Sequence, residues 1–195
     1  KHVSSSSKPI TLSNLSSVRS DPRCTVHNLH LNAETAVDEL RCFEMSGGQT
    51  MVETTPVGHF PDVVSLRKLA QTKKKEVHII RGSGIGSLFE DESPVEQDDC
   101  NTITQRLVRD LTTEGAGIIG EIVLSSNRSI CDIRCLSSAK AHFASGGAPI
   151  LIIPSSPYNM DQIEYAISIL TEHQVPSSSI VVAGVYAYLQ SSGGA

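Results

Sequence analysis

Apolar positions recur along this chain first with a helical period and then with strand-like runs. The alternation begins near residue 32. Asn32 is placed to cap a helix whose apolar positions Ala33, Ala36, Val37, Leu40 and Phe43 share one side, and Gly47-Gly48 closes it. Gln49 to Thr55 reads as a short strand. A helix follows Pro61-Asp62 with Val63, Val64, Leu66, Leu69 and Ala70 on its buried side, and Val77 to Arg81 reads as the next strand. From Gly82 to Cys100 the pattern lapses into an exposed loop or insertion. The alternation then resumes with a helix at Asn101–Thr113, whose apolar positions are Ile103, Leu107, Val108 and Leu111. A strand at Gly117–Leu124 follows, then a helix at Ile130–Ser145 ended by Gly146-Gly147, and a strand at Ala148–Pro154. Met160–His173, with Asn159 as cap, and the strand Ser179–Val185 complete the series. Several of these strands are apolar on both sides. Strands of that kind, separated by helices, predict a parallel sheet covered by helices, either doubly wound or closed as a barrel.

Composition narrows the function classes. The chain has 195 residues, 39% of them hydrophobic and 19% charged, with a net charge of -5. That length supports one good core. Lys73-Lys74-Lys75 is the only basic run and reads as a solvated helix end, so no nucleic-acid binding is expected. No apolar run approaches the length that spans a bilayer. The five cysteines form no CxxC pair. Cys131 and Cys135 fall on one face of a helix and read as buried packing, and the cysteine usage fits an intracellular, reducing compartment. Residues 1–20 carry Lys1, Lys8 and Arg19, many serines and no acid. This reads equally as a flexible segment or as the remainder of a mitochondrial presequence.

Candidate chemistry is sparse. Gly82, Gly84 and Gly86 lack the GxGxxG spacing of a phosphate cradle. Glu90, Asp91, Glu92, Glu96, Asp98 and Asp99 lack the ligand order of a calcium loop and read as solvated. His27 and His30 have His-x-x-His spacing and read as loop residues. His2, His59, His142 and His173 read as surface or interface side chains, and His78, inside a strand, as a hydrogen-bonded core histidine. There is no GxSxG elbow.

Four collinear segments carry a family resemblance. They are NLHLNAETAVDELRCFEMSGGQTMVETTPVG (Asn28 to Gly58), SLRKLAQTKKKEVHIIRGSG (Ser65 to Gly84), AGIIGEI (Ala116 to Ile122) and GGAPILIIP (Gly146 to Pro154). Together they resemble the phosphotriesterase-related branch of the amidohydrolase superfamily. The resemblance implies an α/β fold: an incomplete TIM-type (β/α) barrel of parallel strands, with about six of eight units. A Ser-rich segment and candidate first strand would occupy 1–27, the barrel domain 28–189 and a frayed tail 190–195. It also implies a pair of divalent metals, usually zinc, activating a bridging hydroxide. The ligands it implies are a His-x-His pair on the first strand, a carboxylate or modified lysine on the fourth, histidines on the fifth and sixth, and an aspartate on the eighth.

Carried onto this chain, the first strand falls on Pro9 to Leu15, and the His-x-His positions on Leu12 and Asn14. The fourth-strand carboxylate is Glu121, the fifth-strand histidine aligns with Ile153, and the sixth aligns near Gly184. Glu121 is thus the one remnant metal-ligand position, and no catalytic or cofactor-binding residue and no bound cofactor are expected. The leading expectation is a catalytically degenerate, phosphotriesterase-like protein serving as a structural or interaction subunit, with protein partners covering an open barrel edge. The alternative is a zinc-dependent hydrolase of phosphoester, lactone, ester or amide substrates. A third reading is a small-molecule binder with Glu121 as polar anchor.

Overall fold

A computed structural model of the chain describes residues 11–20, 33–57, 61–72, 77–86, 98–155 and 160–185. Asn32, Asn159, Lys73-Lys74-Lys75, His2, His27, His30, His59, the acids Glu90 to Glu96 and the 190–195 tail lie outside the described residues. The chain divides into two compact units: residues 1–49 with 63–78, and residues 50–62 with 79–195.

The first unit holds three helices, α1 (Leu15–Ser20), α2 (Ala33–Met45) and α3 (Val63–Thr72). Along α2 the helical period is realised: Leu40 is buried, Ala36, Val37 and Phe43 are half-buried, and Gly48 N–H donates to Phe43 O at 2.9 Å where the helix ends. On α3 the expected apolar face holds only in part. Val63, Leu66 and Leu69 are half-buried, while Val64 and Ala70 are exposed. The expected first strand at Pro9–Leu15 is not one over its described part. Asn14 Oδ1 accepts from Thr11 N–H at 2.7 Å, and Asn14 O accepts from Val18 N–H at 3.0 Å, so the segment is a turn opening α1. Side-chain closure of a turn by asparagine competes with extended backbone.

The second unit is built on a sheet. Its strands are β1 (Thr50–Glu53), β2 (His78–Ile85), β3 (Ile118–Val123), β4 (Ile150–Ile153) and β5 (Ile180–Val182), side by side in chain order. β2–β3, β3–β4 and β4–β5 are parallel, with Ile119 opposite Ile150 and Ile150 opposite Ile180. Helices α4 (Cys100–Thr112), α5 (Arg128–Ala144) and α6 (Met160–Glu172) supply the successive crossovers. This is the strand–helix order of a (β/α) barrel. The described residues hold five strands rather than the six expected, because the Pro9–Leu15 candidate falls away.

One face of the sheet packs on these helices. Ile85, Ile119, Ile122, Leu124, Ile150 and Ile152 meet Ile103 and Leu107 of α4, Cys131 and Cys135 of α5, and Ile163 and Leu170 of α6. Each fully buried aliphatic side chain contributes about 1.5–3 kcal/mol of transfer free energy. The cysteine sulfurs lie 4.0 Å apart in this core, as their helical spacing predicts. Polar caps fix the helix starts: Asp99 accepts from Asn101 and Thr102 N–H, and Asn127 accepts from Ser129 N–H. Asp99, read from sequence as part of a solvated acidic loop, is therefore the cap of α4. Asp110, buried on α4, is matched by Ser83 Oγ at 2.8 Å and Arg81 at 3.5 Å.

Candidate functional site

β2 continues through Gly82–Ile85, where the sequence pattern suggests a loop. The reason is close approach. A Cβ at Gly82 would lie 2.2 Å from Gly120 O and 3.2 Å from Glu53 O, and one at Gly84 would lie 2.7 Å from Glu121 O and 2.8 Å from Pro56 Cα. With no side chains there, the segment after β1 reaches over β2, and Glu121 N–H donates to Thr54 O at 3.0 Å. The glycines are thus spacers between neighbouring backbones, not a phosphate cradle.

This approach brings two carboxylates together at the C-terminal ends of β1 and β3. Glu121 is half-buried. Burial, and then the charge of Glu53, push its carboxyl above the ordinary value. Glu53 in turn accepts from Thr55 N–H at 3.0 Å and from Thr55 Oγ1. Sequence reading missed Glu53. Its only signal was a carboxylate closing a strand, and its nearness to Glu121 depends on strand order.

Of the other positions carried by the resemblance, Leu12, Ile153 and Gly184 have no metal-ligating side chain and Asn14 carries an amide. Ile153, at the end of β4, is 9% exposed. Gly184 follows β5 with φ +77°, and a Cβ there would meet Ile153 Cγ1 at 3.1 Å. The Ile153 side chain occupies the space into which a side chain at 184 would grow. Leu12 is 92% exposed in the turn before α1, and Asn14 is spent on that turn. Neither belongs to a strand.

Zinc needs three or four donors from protein and solvent, usually with imidazole or thiolate among them. The Glu53 and Glu121 carboxylates by themselves do not fit a zinc pair. Among the described residues, no three His, Cys, Asp or Glu side chains are grouped to hold a metal. The described histidines are elsewhere. His78 is exposed on β2 rather than in the core. His142, expected at the surface, is instead buried, with Nδ1 2.8 Å from Ala148 O. His173 is exposed at the end of α6. No helix among the described residues is long and apolar enough to cross a membrane.

Comparison with known proteins agrees with this architecture. The chain is 30% identical over 158 residues to a phosphotriesterase-related protein of Nematostella vectensis, covering 76% of this chain and 45% of that protein. It is 29% identical over 174 residues to the N-acetyltaurine hydrolase of Bos taurus, covering 83% and 49%. The chain therefore spans about half the length of these relatives. Among solved structures, a resiniferatoxin-binding protein from Rhodobacter sphaeroides superposes with a TM-score of 0.75 at 22% identity, over 91% of this chain and 51% of that one. A lactonase from Listeria monocytogenes superposes with a TM-score of 0.59 at 17% identity, over 78% and 52%. These likenesses fix the fold as part of a TIM-type barrel. The phosphotriesterase family itself matches over residues 7–188, and the chain belongs to that family.

Proposed function

We propose that this chain is a catalytically degenerate, hydrolase-like member of the family that serves as a structural or interaction subunit of a larger assembly. The observation that carries the reading is the contact at the ends of β4 and β5. Where the family places two histidines stand Ile153 and Gly184, and a Cβ added at Gly184 would meet Ile153 Cγ1 at 3.1 Å. Glu121 stands as the remnant of the bridging-ligand position, paired with a second carboxylate instead of with imidazoles. A lone carboxylate pair lacks the nitrogen donors that hold zinc and lower the pKa of its water.

The interaction role draws support from the second face of the sheet. Ile80 of β2 and Val181 of β5 are 38% and 46% exposed there. Apolar strand surface of this kind favours burial against a protein partner. An intracellular setting accords with the free thiols of Cys42, Cys100, Cys131 and Cys135 among the described residues.

A second reading, a zinc-dependent hydrolase, is favoured by the relatives named N-acetyltaurine hydrolase and by the retained Glu121. One experiment separates the two. The purified chain is incubated with zinc, desalted, and assayed for bound metal and for turnover of N-acyl amine, lactone and phosphoester substrates. We expect substoichiometric zinc and no turnover. Two equivalents of zinc together with turnover overturn the proposal.

A further inference from the structure

A thiol and an amine meet across the interface of α4 and α5, apart from Glu53 and Glu121. Lys140 Nζ donates to Cys100 Sγ at 3.5 Å, although the two lie 40 positions apart in the chain. Cys100 opens α4 just after its cap Asp99. Ser137 Oγ, one turn before Lys140, donates to Cys100 O at 3.1 Å and ties the two helices together at this point. Cys100 is a half-buried free thiol, and Lys140 is exposed. Cys131 and Cys135, by contrast, are closed off in the core.

The surrounding charges leave the amine to the sulfur. On the α4 side, the Asp99 carboxylate is taken by the Asn101 and Thr102 N–H groups, and Asp98 acts on the Arg106 guanidinium. On α5, the residues one turn from Lys140 are Leu136, Ser137, Phe143 and Ala144, none of them charged. No ion pair among the described residues includes Lys140.

A thiolate oxidised by peroxide becomes a sulfenic acid, which condenses with a nearby thiol or nitrogen. We propose that Cys100 and Lys140 are a modification site at which hydrogen peroxide produces a reversible sulfenamide bridge between α4 and α5. In the first step the Cys100 thiolate attacks peroxide. An S–O bond forms, the O–O bond breaks, and the leaving hydroxide takes a proton from the Lys140 ammonium to give water. In the second step the freed amine attacks the sulfenic sulfur. An S–N bond forms, the S–O bond breaks, and hydroxide departs with an amine proton as water. Sulfur is oxidised, peroxide is reduced to two waters, and the protein loses two hydrogens in all. The flexible lysine stem closes the gap from 3.5 Å to bonding distance. The bridge closes a loop between α4 and α5, which stabilises their packing. None of this depends on Glu121.

The test is treatment of the chain with a modest excess of hydrogen peroxide, read by peptide mapping in a mass spectrometer and by thermal unfolding. We expect a peptide pair joined through Cys100 and Lys140, lighter by two hydrogens than its separate parts and released by dithiothreitol. The thermal midpoint should rise with the bridge and fall back on adding dithiothreitol. K140R keeps the cation but removes the nucleophilic amine. It should lose both the joined pair and the rise, and dimedone, which traps sulfenic acid, should label its Cys100 several-fold more than in the parent. Lys140 is exposed, so this substitution leaves the core intact. E121Q should bridge as the parent does. The proposal is overturned if the treated parent yields no joined pair, or if its Cys100 is found instead in a disulfide or as sulfinic acid. It is equally overturned if dimedone labels K140R and the parent alike.

Discussion

The two faces of the sheet are built on different terms. The helix-covered face carries Ile85, Ile119, Ile122, Ile150 and Ile152, all 0% exposed and interlocked with α4, α5 and α6. The other face carries Gly82, Gly84, Gly120, Glu121 and Ile153, with Ile80 and Val181 open to solvent. The first face is what any chain of this architecture must keep, because burial there supplies the folding free energy. The second is where the family's chemistry would sit. There, small residues let backbones approach, and the charge of Glu53 acts on Glu121. Fold and chemistry in such an architecture rest on separable sets of side chains.

The contrast is tested most strongly by truncation. Ile152→Ala should destabilise the chain by about 2–5 kcal/mol, and Val181→Ala, on the other face, by under about 1 kcal/mol, both read from denaturant unfolding. Equal losses would mean that the second face is as tightly packed as the first.

Gly84→Ala sharpens the role of close approach. Its Cβ would press on backbone atoms of Glu121 and Pro56 within 2.8 Å, so a loss of about 1–3 kcal/mol is expected. Gly115→Ala is the control. With φ +76° and nothing within 4 Å, it should show only the conformational cost of about 1 kcal/mol.

At the start of α5, Asn127→Ala removes the acceptor for Ser129 N–H and should cost about 1 kcal/mol. The readout is again unfolding, with α5 helicity followed by hydrogen exchange.

The smallest effect has a distinctive pH dependence. Because the folded state raises the Glu121 pKa above 4.5, the folded chain holds that proton more tightly than the unfolded chain. Stability is therefore lost as pH climbs from about 4.5 through the raised value, and is unaffected below it. Glu121→Gln should be more stable than the parent at neutral pH, by under about 1 kcal/mol for a partly solvated group, and the gap should close on acidification. A gap that instead widens in acid would show that Glu121 is stabilised as the carboxylate.

Much of the fold was legible because it depends on local pattern. The apolar runs at 118–124 and 148–154 and the helical periods at Ile103–Leu107 and Cys131–Cys135 state directly which side is buried. The misreadings share a cause. Pro9–Leu15 was matched as a strand by position, but Asn14 closes a turn there. Gly82–Ile85 looked irregular because glycine carries no hydropathy signal, yet it is strand. His142 gave no sign of burial because its acceptor, Ala148 O, is set by how the loop after α5 folds back.

The sequence by itself determined the parallel α/β architecture and the family, since residue type and order settle these. Only the tertiary structure decided that Glu53 stands beside Glu121, that Ile153 lies beside Gly184, and that Arg128 stacks on Tyr165. Glu53 and Glu121, Ile153 and Gly184, and Arg128 and Tyr165 are each separated by at least 30 positions in the chain. Such pairs are brought together by strand order and helix packing, which no local window of sequence encodes.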